Sequence, residues 1–218
     1  MSLEAPLAPP VVPPPLALRH ELARKSIHLT SAIAPAAYAL GVPAGVATLT
    51  LSALAGTALL VELARHRSTT VRLAFGRLFG PILRGHEHEA LTGATWMLLA
   101  FALAVALLPR PVAVVAMWGV SVGDAAAAVI GRWSAARRRT RGGGKTLAGT
   151  SACFVATLAG AFLLAHLSLP RAAALAAVAA LAERAPLRWI DDNLRIVLAI
   201  GIADALLTVL TRAASHLA

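Results

Sequence analysis

Apolar runs close to twenty residues long recur along this chain, broken only by short polar segments. A helix rising 1.5 Å per residue crosses a hydrocarbon core in about that length, and a bilayer interior leaves backbone N–H and C=O groups no partner outside the helix itself. The runs fall at 26–43, 45–63, 91–108, 111–130, 149–168, 171–184 and 194–211, the sixth being short and alanine-rich. Apolar–polar alternation is absent and the runs are too long for strands, so the pattern predicts an all-α polytopic membrane protein of about seven transmembrane helices. Composition agrees: 58% of residues are hydrophobic and 14% charged, where a soluble domain is about half apolar and a quarter charged. Residues 1–15 read as a disordered, proline-rich tail. The tail lacks a basic start and a clean apolar core, so it is not read as a secretory signal. Residues 16–218 read as one membrane-embedded domain.

The chain carries a net charge of +10. In so apolar a sequence, that excess points to anionic lipid at cytoplasmic loops rather than to nucleic acid. With the N-terminus in the cytoplasm and seven crossings, Arg19, Arg24 and Lys25 fall on the cytoplasmic side. So do Arg65, Arg67, Arg72, Arg77 and Arg84; Arg132, Arg137, Arg138, Arg139, Arg141 and Lys145; and Arg184, Arg188 and Arg195. Only Arg110, Arg171 and Arg212 of the 20 basic residues fall on the far side. Most acidic residues gather on the cytoplasmic side too, and only Asp204 sits well inside an apolar span. A transporter would carry polar groups near the midplane, whereas a one-sided polar cluster suits chemistry between a cytosolic solute and a lipid. Between the second and third spans, Val71, Phe75, Leu78, Phe79 and Ile82 recur at helical spacing among arginines. They predict an amphipathic helix lying in the interface. The single cysteine, Cys153, lies in an apolar run and reads as a small buried side chain.

Five stretches carry candidate chemistry. Glu21, Arg24, Lys25 and His28 share one helix face at i, i+3, i+4, i+7; the two cations suit phosphate, or simply a snorkelling basic flank. Asp124 lies in an apolar helix among small residues, where a carboxylate costs about 2.5–3.5 kcal/mol to insert. A metal, a cation or a substrate would offset that cost, and so would a structural salt bridge. Gly142, Gly143, Gly144, Lys145 and Thr146 make a glycine loop that leads towards Gly149, a form that can cradle phosphate with backbone N–H groups or serve as a flexible basic loop. It is not a Walker A motif, because Arg139 stands where the first glycine belongs. Glu183, Asp191, Asp192 and Asn193 are hard oxygen donors suited to Mg²⁺ beside phosphate, and one of the last three is expected to cap the final helix. His86 and His88 flank Glu87, but their i, i+2 spacing keeps them off one helix face and argues against zinc.

Together these stretches resemble the CTP-dependent lipid-alcohol kinases: dolichol kinase, phytol kinase and the fungal CTP-dependent diacylglycerol kinase. The matching motifs are E-L-x-R-K-x-x-H at 21–28, R-x-x-E-x-x-x-L-T-G-A-T from Arg84 through Glu87 to Thr95, and G-D-x-x-A-x-x-x-G at 123–131, which ends on Gly131. The set continues with K-T-x-x-G at 145–149 and an acidic ending from Glu183 to Asp-Asp-Asn-Leu at 191–194. The related CDP-diacylglycerol synthases share the middle region but end in a P-G-H-G-G run that this chain lacks. The chain departs from the kinase pattern at Ala148, where the family has Glu, and after Arg132, where a second turn glycine is missing.

The resemblance implies transfer of the CTP γ-phosphate to a membrane-embedded alcohol, with Mg²⁺ or Mn²⁺ as cofactor and the active site facing the cytoplasm. On that reading Asp124, Asp192 and Asn193 hold the metal. Arg24, Lys25, Gly131, Gly144, Lys145, Thr146 and Gly149 hold nucleotide or phosphate, and Asp124 or Glu183 accepts or orients the alcohol proton. Glu21, His28, Arg84, Glu87 and Asp191 complete the motif positions. The alternatives are a cytidylyltransferase resembling the CDP-diacylglycerol synthases and a small non-enzymatic transporter.

Overall fold

A computed structural model describes residues 18–83, 85–137, 145–186 and 190–217. The tail at 1–15, Arg84, Gly144, the Arg138–Arg141 run and Arg188 lie outside them, as do the side chains of Glu21 and His86. The described residues are all-helical, with no strand.

The first apolar run does not form one helix. It gives α1 (Leu18–Thr30) and α2 (Ile33–Ala39), separated at Ser31–Ala32. Pro35 explains the break: its ring takes the space of the carbonyl four residues back, that of Ser31, and it supplies no N–H. Ser31 instead turns its hydroxyl to the His28 carbonyl and, at 2.8 Å, to the Ser121 hydroxyl. α2 ends in a Schellman turn. Gly41 takes the positive φ of 110°, the Val42 N–H bonds the Ala37 carbonyl at 3.2 Å and the Gly41 N–H bonds the Tyr38 carbonyl at 3.3 Å.

α3 (Ala44–Arg67) is followed by α4 (Thr69–Phe79), whose first turn is capped by the Ser68 side chain and which buries no residue. The amphipathic helix expected between the second and third spans is thus present as α4. A 3-10 turn at Gly85–His88 leads into α5 (Gly93–Leu107). α6 (Arg110–Trp118) runs through a π-helical turn at Gly119–Gly123 into α7 (Asp124–Arg137). α8 (Leu147–Leu163), the alanine-rich α9 (Leu169–Arg184) and α10 (Asp192–Leu217) complete the bundle.

Among the described residues three helices are long and apolar enough to cross a membrane: Ala44–Arg67, Arg110–Ala136 and Asp192–Ser215. α5 and α8 are shorter apolar helices. The core is built around α6, where Val112 through Met117 are all buried. α9 packs mainly against α8 and α10 and buries Ala172, Leu175, Ala176 and Ala179 completely, because alanine lets helices approach closely where no water drives them together. Leu49, Leu60, Leu206 and Leu210 are well exposed on α3 and α10, the outward apolar surface that lipid would cover.

Candidate functional site

Two ion-pair clusters and a capping network meet at one end of the bundle. The first cluster is centred on Asp124, the first residue after the π-helical turn. Lys25 Nζ lies 2.5 Å from Asp124 Oδ2, and His28 Nδ1 lies 3.5 Å from the same oxygen. All three residues are buried. The i, i+3 spacing of Lys25 and His28 on α1 turns both toward α7. A π turn adds a residue to the helical ladder, and here it immediately precedes Asp124.

The second cluster is centred on Lys145, just before α8. Its ammonium lies 2.9 Å from Glu183 Oε1 and 3.1 Å from Asp192 Oδ2, and it also donates to the Glu183 backbone carbonyl. Burial alone would lower its pKa, but Asp192 and Glu183 outweigh that and hold it above the ordinary lysine range. Arg195 fixes the far side of Asp192: Nη2 donates to Oδ1 at 2.6 Å, and Nε donates to the Ala182 carbonyl at 2.7 Å. Asp191 Oδ1 accepts both the backbone N–H and the Nδ2 of Asn193, at 2.9 and 2.8 Å. It thereby caps α10, as expected of one residue in that trio. The two clusters feel one another electrostatically, Lys145 acting on Asp124 and Asp124 on Glu183.

The capping network joins the end of α3 to the start of α5. Glu62 Oε1 accepts the Thr92 N–H at 2.8 Å and the Thr95 hydroxyl at 2.9 Å, while Glu87 Oε1 accepts the Gly93 N–H at 2.9 Å. Two carboxylates therefore sit where the helix dipole and the unpaired N–H groups of α5 favour negative charge. Arg65 pairs with Glu62 and donates to the carbonyls of Glu87 and His88 at 2.9 and 3.1 Å. Asn193 Nδ2 reaches the Gly93 carbonyl at 3.2 Å, tying this network to the Lys145 cluster.

The motif residues take different places in this arrangement. Lys25, His28, Asp124, Lys145, Glu183, Asp191, Asp192 and Asn193 come together at the same end, with Arg24 and Glu87 on the wall of an adjoining cavity. Gly131 and Gly149 lie where α7 crosses α8: a Cβ on Gly149 would stand 2.6 Å from the Ala127 carbonyl and 3.3 Å from Gly131 Cα. Thr146 caps α8, its hydroxyl accepting the Gly149 N–H at 3.1 Å. Both glycines and Thr146 thus have structural work of their own. Arg65 and Arg195, which the sequence offers only as topology charges, join Glu62 as the buried framework of the site.

Two carboxylates, those of Glu183 and Asp192, converge on one point. Lys145 Nζ already occupies a position ringed by oxygens of Glu183 and Asp192. Mg²⁺ takes one or two carboxylates and completes its shell with water and phosphate oxygens. Among the described residues no three His, Cys, Asp or Glu side chains form a self-sufficient metal cage, and Asp124 and Asp192 are each held by a cation of their own.

An uncharacterized protein of Rickettsia prowazekii (strain Madrid E) is similar to this chain: 29% identical over 141 residues, or 63% of this chain and 67% of that protein. No protein-family model matches the chain. No solved structure matches it either.

Proposed function

We propose that the chain is a membrane kinase that transfers the γ-phosphoryl group of CTP, or another nucleoside triphosphate, to a lipid alcohol. The observation that carries the reading is the meeting of Lys145, Glu183 and Asp192 with the Lys25–His28–Asp124 cluster at one end of an apolar bundle. Phosphoryl transfer asks chiefly for positioning and for neutralisation of charge spread over phosphate oxygens. Lys145 and Lys25 supply positive charge, and Glu183 and Asp192 supply hard donors for Mg²⁺ or Mn²⁺. The cation, when bound, would neutralise charge on the triphosphate.

In the reaction the alcohol oxygen forms a bond to the γ-phosphorus. The bridging P–O bond breaks, and the nucleoside diphosphate leaves with its electron pair. A carboxylate of the site, Asp124 or Glu183, takes the hydroxyl proton. Helix length supports a lipid acceptor. α5, α8 and α9 have 15, 17 and 16 residues, about 23–26 Å at 1.5 Å per residue, against a hydrocarbon core of about 30 Å. Polar groups at their ends are thus recessed to a depth that a membrane-held hydroxyl reaches. Seven crossings with a cytoplasmic N-terminus complete the proposal, supported by the distribution of 17 of 20 basic residues.

The test is transfer of radiolabel from γ-labelled CTP, ATP, GTP and UTP to a panel of lipid alcohols by the purified chain. Labelled lipid phosphate that disappears in excess EDTA is the expected result. Absence of transfer from every nucleotide, or full turnover in EDTA, contradicts the proposal. Cysteines introduced beside Arg138 and Arg188 are expected to label only from the cytoplasmic side, and labelling from outside contradicts the orientation.

A further inference from the structure

A cavity of about 300 Å³ lies between α1, α3, α4 and the first half of α5. Its walls are mostly apolar and include Ala58, Val61, Phe79, Met97 and Leu98. Ile27, Val61 and Phe79 line it and are 46%, 40% and 44% exposed. The cavity is therefore open at its apolar side, among residues of an apolar bundle. Its polar wall consists of Arg24, His28, Glu62, Glu87 and the threonines at the start of α5.

His28 belongs to two structures at once: it lines this cavity and stands 3.5 Å from the Asp124 carboxylate. An amphiphile in the cavity would lay its hydrocarbon against Val61, Phe79 and Leu98 and bring its polar end to the Asp124 side of the site. α4 closes the outer side without burying any residue of its own, with Leu73 and Leu78 at 57% and 74% exposure. Few buried contacts make such an element the one that opens locally at least cost.

We propose that this cavity is the acceptor-chain site. It takes one unbranched or isoprenoid hydrocarbon tail with its hydroxyl beside His28 and Asp124, so the acceptor is a single-chain alcohol and not a two-tailed glyceride. The inference rests on the kinase reading for the fate of the hydroxyl, but the occupancy of the cavity does not. Size carries the choice of one tail, since 300 Å³ is at the lower end of ligand pockets, about 300–1,000 Å³. Position carries the choice of base: of the two carboxylates, Asp124 is the one that adjoins the cavity, through His28.

The experiment uses the full chain in lipid nanodiscs with a farnesol analogue carrying a photoreactive diazirine, its adducts mapped by mass spectrometry. Adducts are expected on α4 and the start of α5, lost on competition with unlabelled farnesol and retained with dioleoylglycerol. Ala58→Trp, which fills the cavity, is expected to lower adduct yield at least about tenfold. Leu60→Trp, on the outward face of α3 at 67% exposure, is expected to leave it unchanged and controls for folding. Adducts elsewhere, equal competition by dioleoylglycerol, or an Ala58→Trp variant that labels like the native chain overturns the proposal. Because labelling reads binding, cavity adducts in a chain that transfers no phosphate would retain the chain site and defeat the kinase reading. Phosphate transfer with adducts elsewhere would do the reverse.

Discussion

The two ends of α9 carry similar ionic chemistry to different effect. Near its start, Arg171 donates through Nε and Nη2 to Asp204 Oδ1 on α10, at 2.9 and 2.6 Å, and Nη2 also reaches the Thr208 hydroxyl at 3.5 Å. Near its end, Glu183 and Asp192 face Lys145. The first pair uses arginine, a planar fork whose geometry is fixed once both nitrogens are engaged. It clamps two helices and needs no third party. The second uses a lysine, a point charge on a flexible stem, 37% exposed and set beside a glycine-rich loop. Its oxygens can exchange that ammonium for a metal, and its ammonium can exchange those oxygens for phosphate. Asp204, the one acid that the sequence places well inside an apolar span, thus has an arginine partner and serves as a clamp.

The largest effect that would break this comparison is at Asp124. Asp124→Asn keeps the shape but leaves Lys25 buried without its counter-charge. Transfer per folded molecule is expected to fall at least about a hundredfold, the scale of losing one preorganised group in a transition state. An active Asp124→Asn variant would reduce the Lys25–Asp124 pair to a structural bridge. Next comes the far end. Asp204→Asn is expected to cost about 1–3 kcal/mol of stability, read as a lower Tm, with transfer per folded molecule unchanged. A selective loss of turnover there would make the far end functional. The smallest effect concerns pH. Because Asp192 and Glu183 hold Lys145 above the ordinary lysine range, its charge contribution is complete below the free-lysine value near about 10.4 and is lost only as pH rises through the higher folded value. Nucleotide affinity is therefore expected to stay flat from about pH 7 to 9. A decline within that window, measured by titration calorimetry, would show a lysine dominated by burial instead.

Much of this arrangement was legible in the sequence, since helical runs and intra-helix spacing are local properties. The i, i+3 placement of Lys25 and His28 did put both on one face, and α4 formed where its apolar period predicted. What was not legible depends on partners distant in the chain. Arg65 reads as one arginine among five in a polar connection, yet it folds back on carbonyls 22 and 23 residues away. Arg195 reads as a flanking charge, yet it is only 5% exposed. Gly131 and Gly149 look like phosphate-loop glycines, but which neighbour uses the space of a missing Cβ is settled only when α7 meets α8. The break at Ser31–Ala32 is local too: Pro35 acts on the carbonyl four residues back, and that effect outweighs the continuity of the apolar run.

The central claim is that Lys145 holds the triphosphate and not merely two carboxylates. Its most direct test is kcat/KM for CTP-dependent transfer by Lys145→Ala, set against Arg138→Ala from the same basic connection and normalised to folded protein. Lys145→Ala is expected to lower kcat/KM at least about tenfold, equivalent to about 1.4 kcal/mol of transition-state stabilisation, while Arg138→Ala is nearly silent. Equal behaviour of the two variants would contradict the account and leave the loop a basic tether.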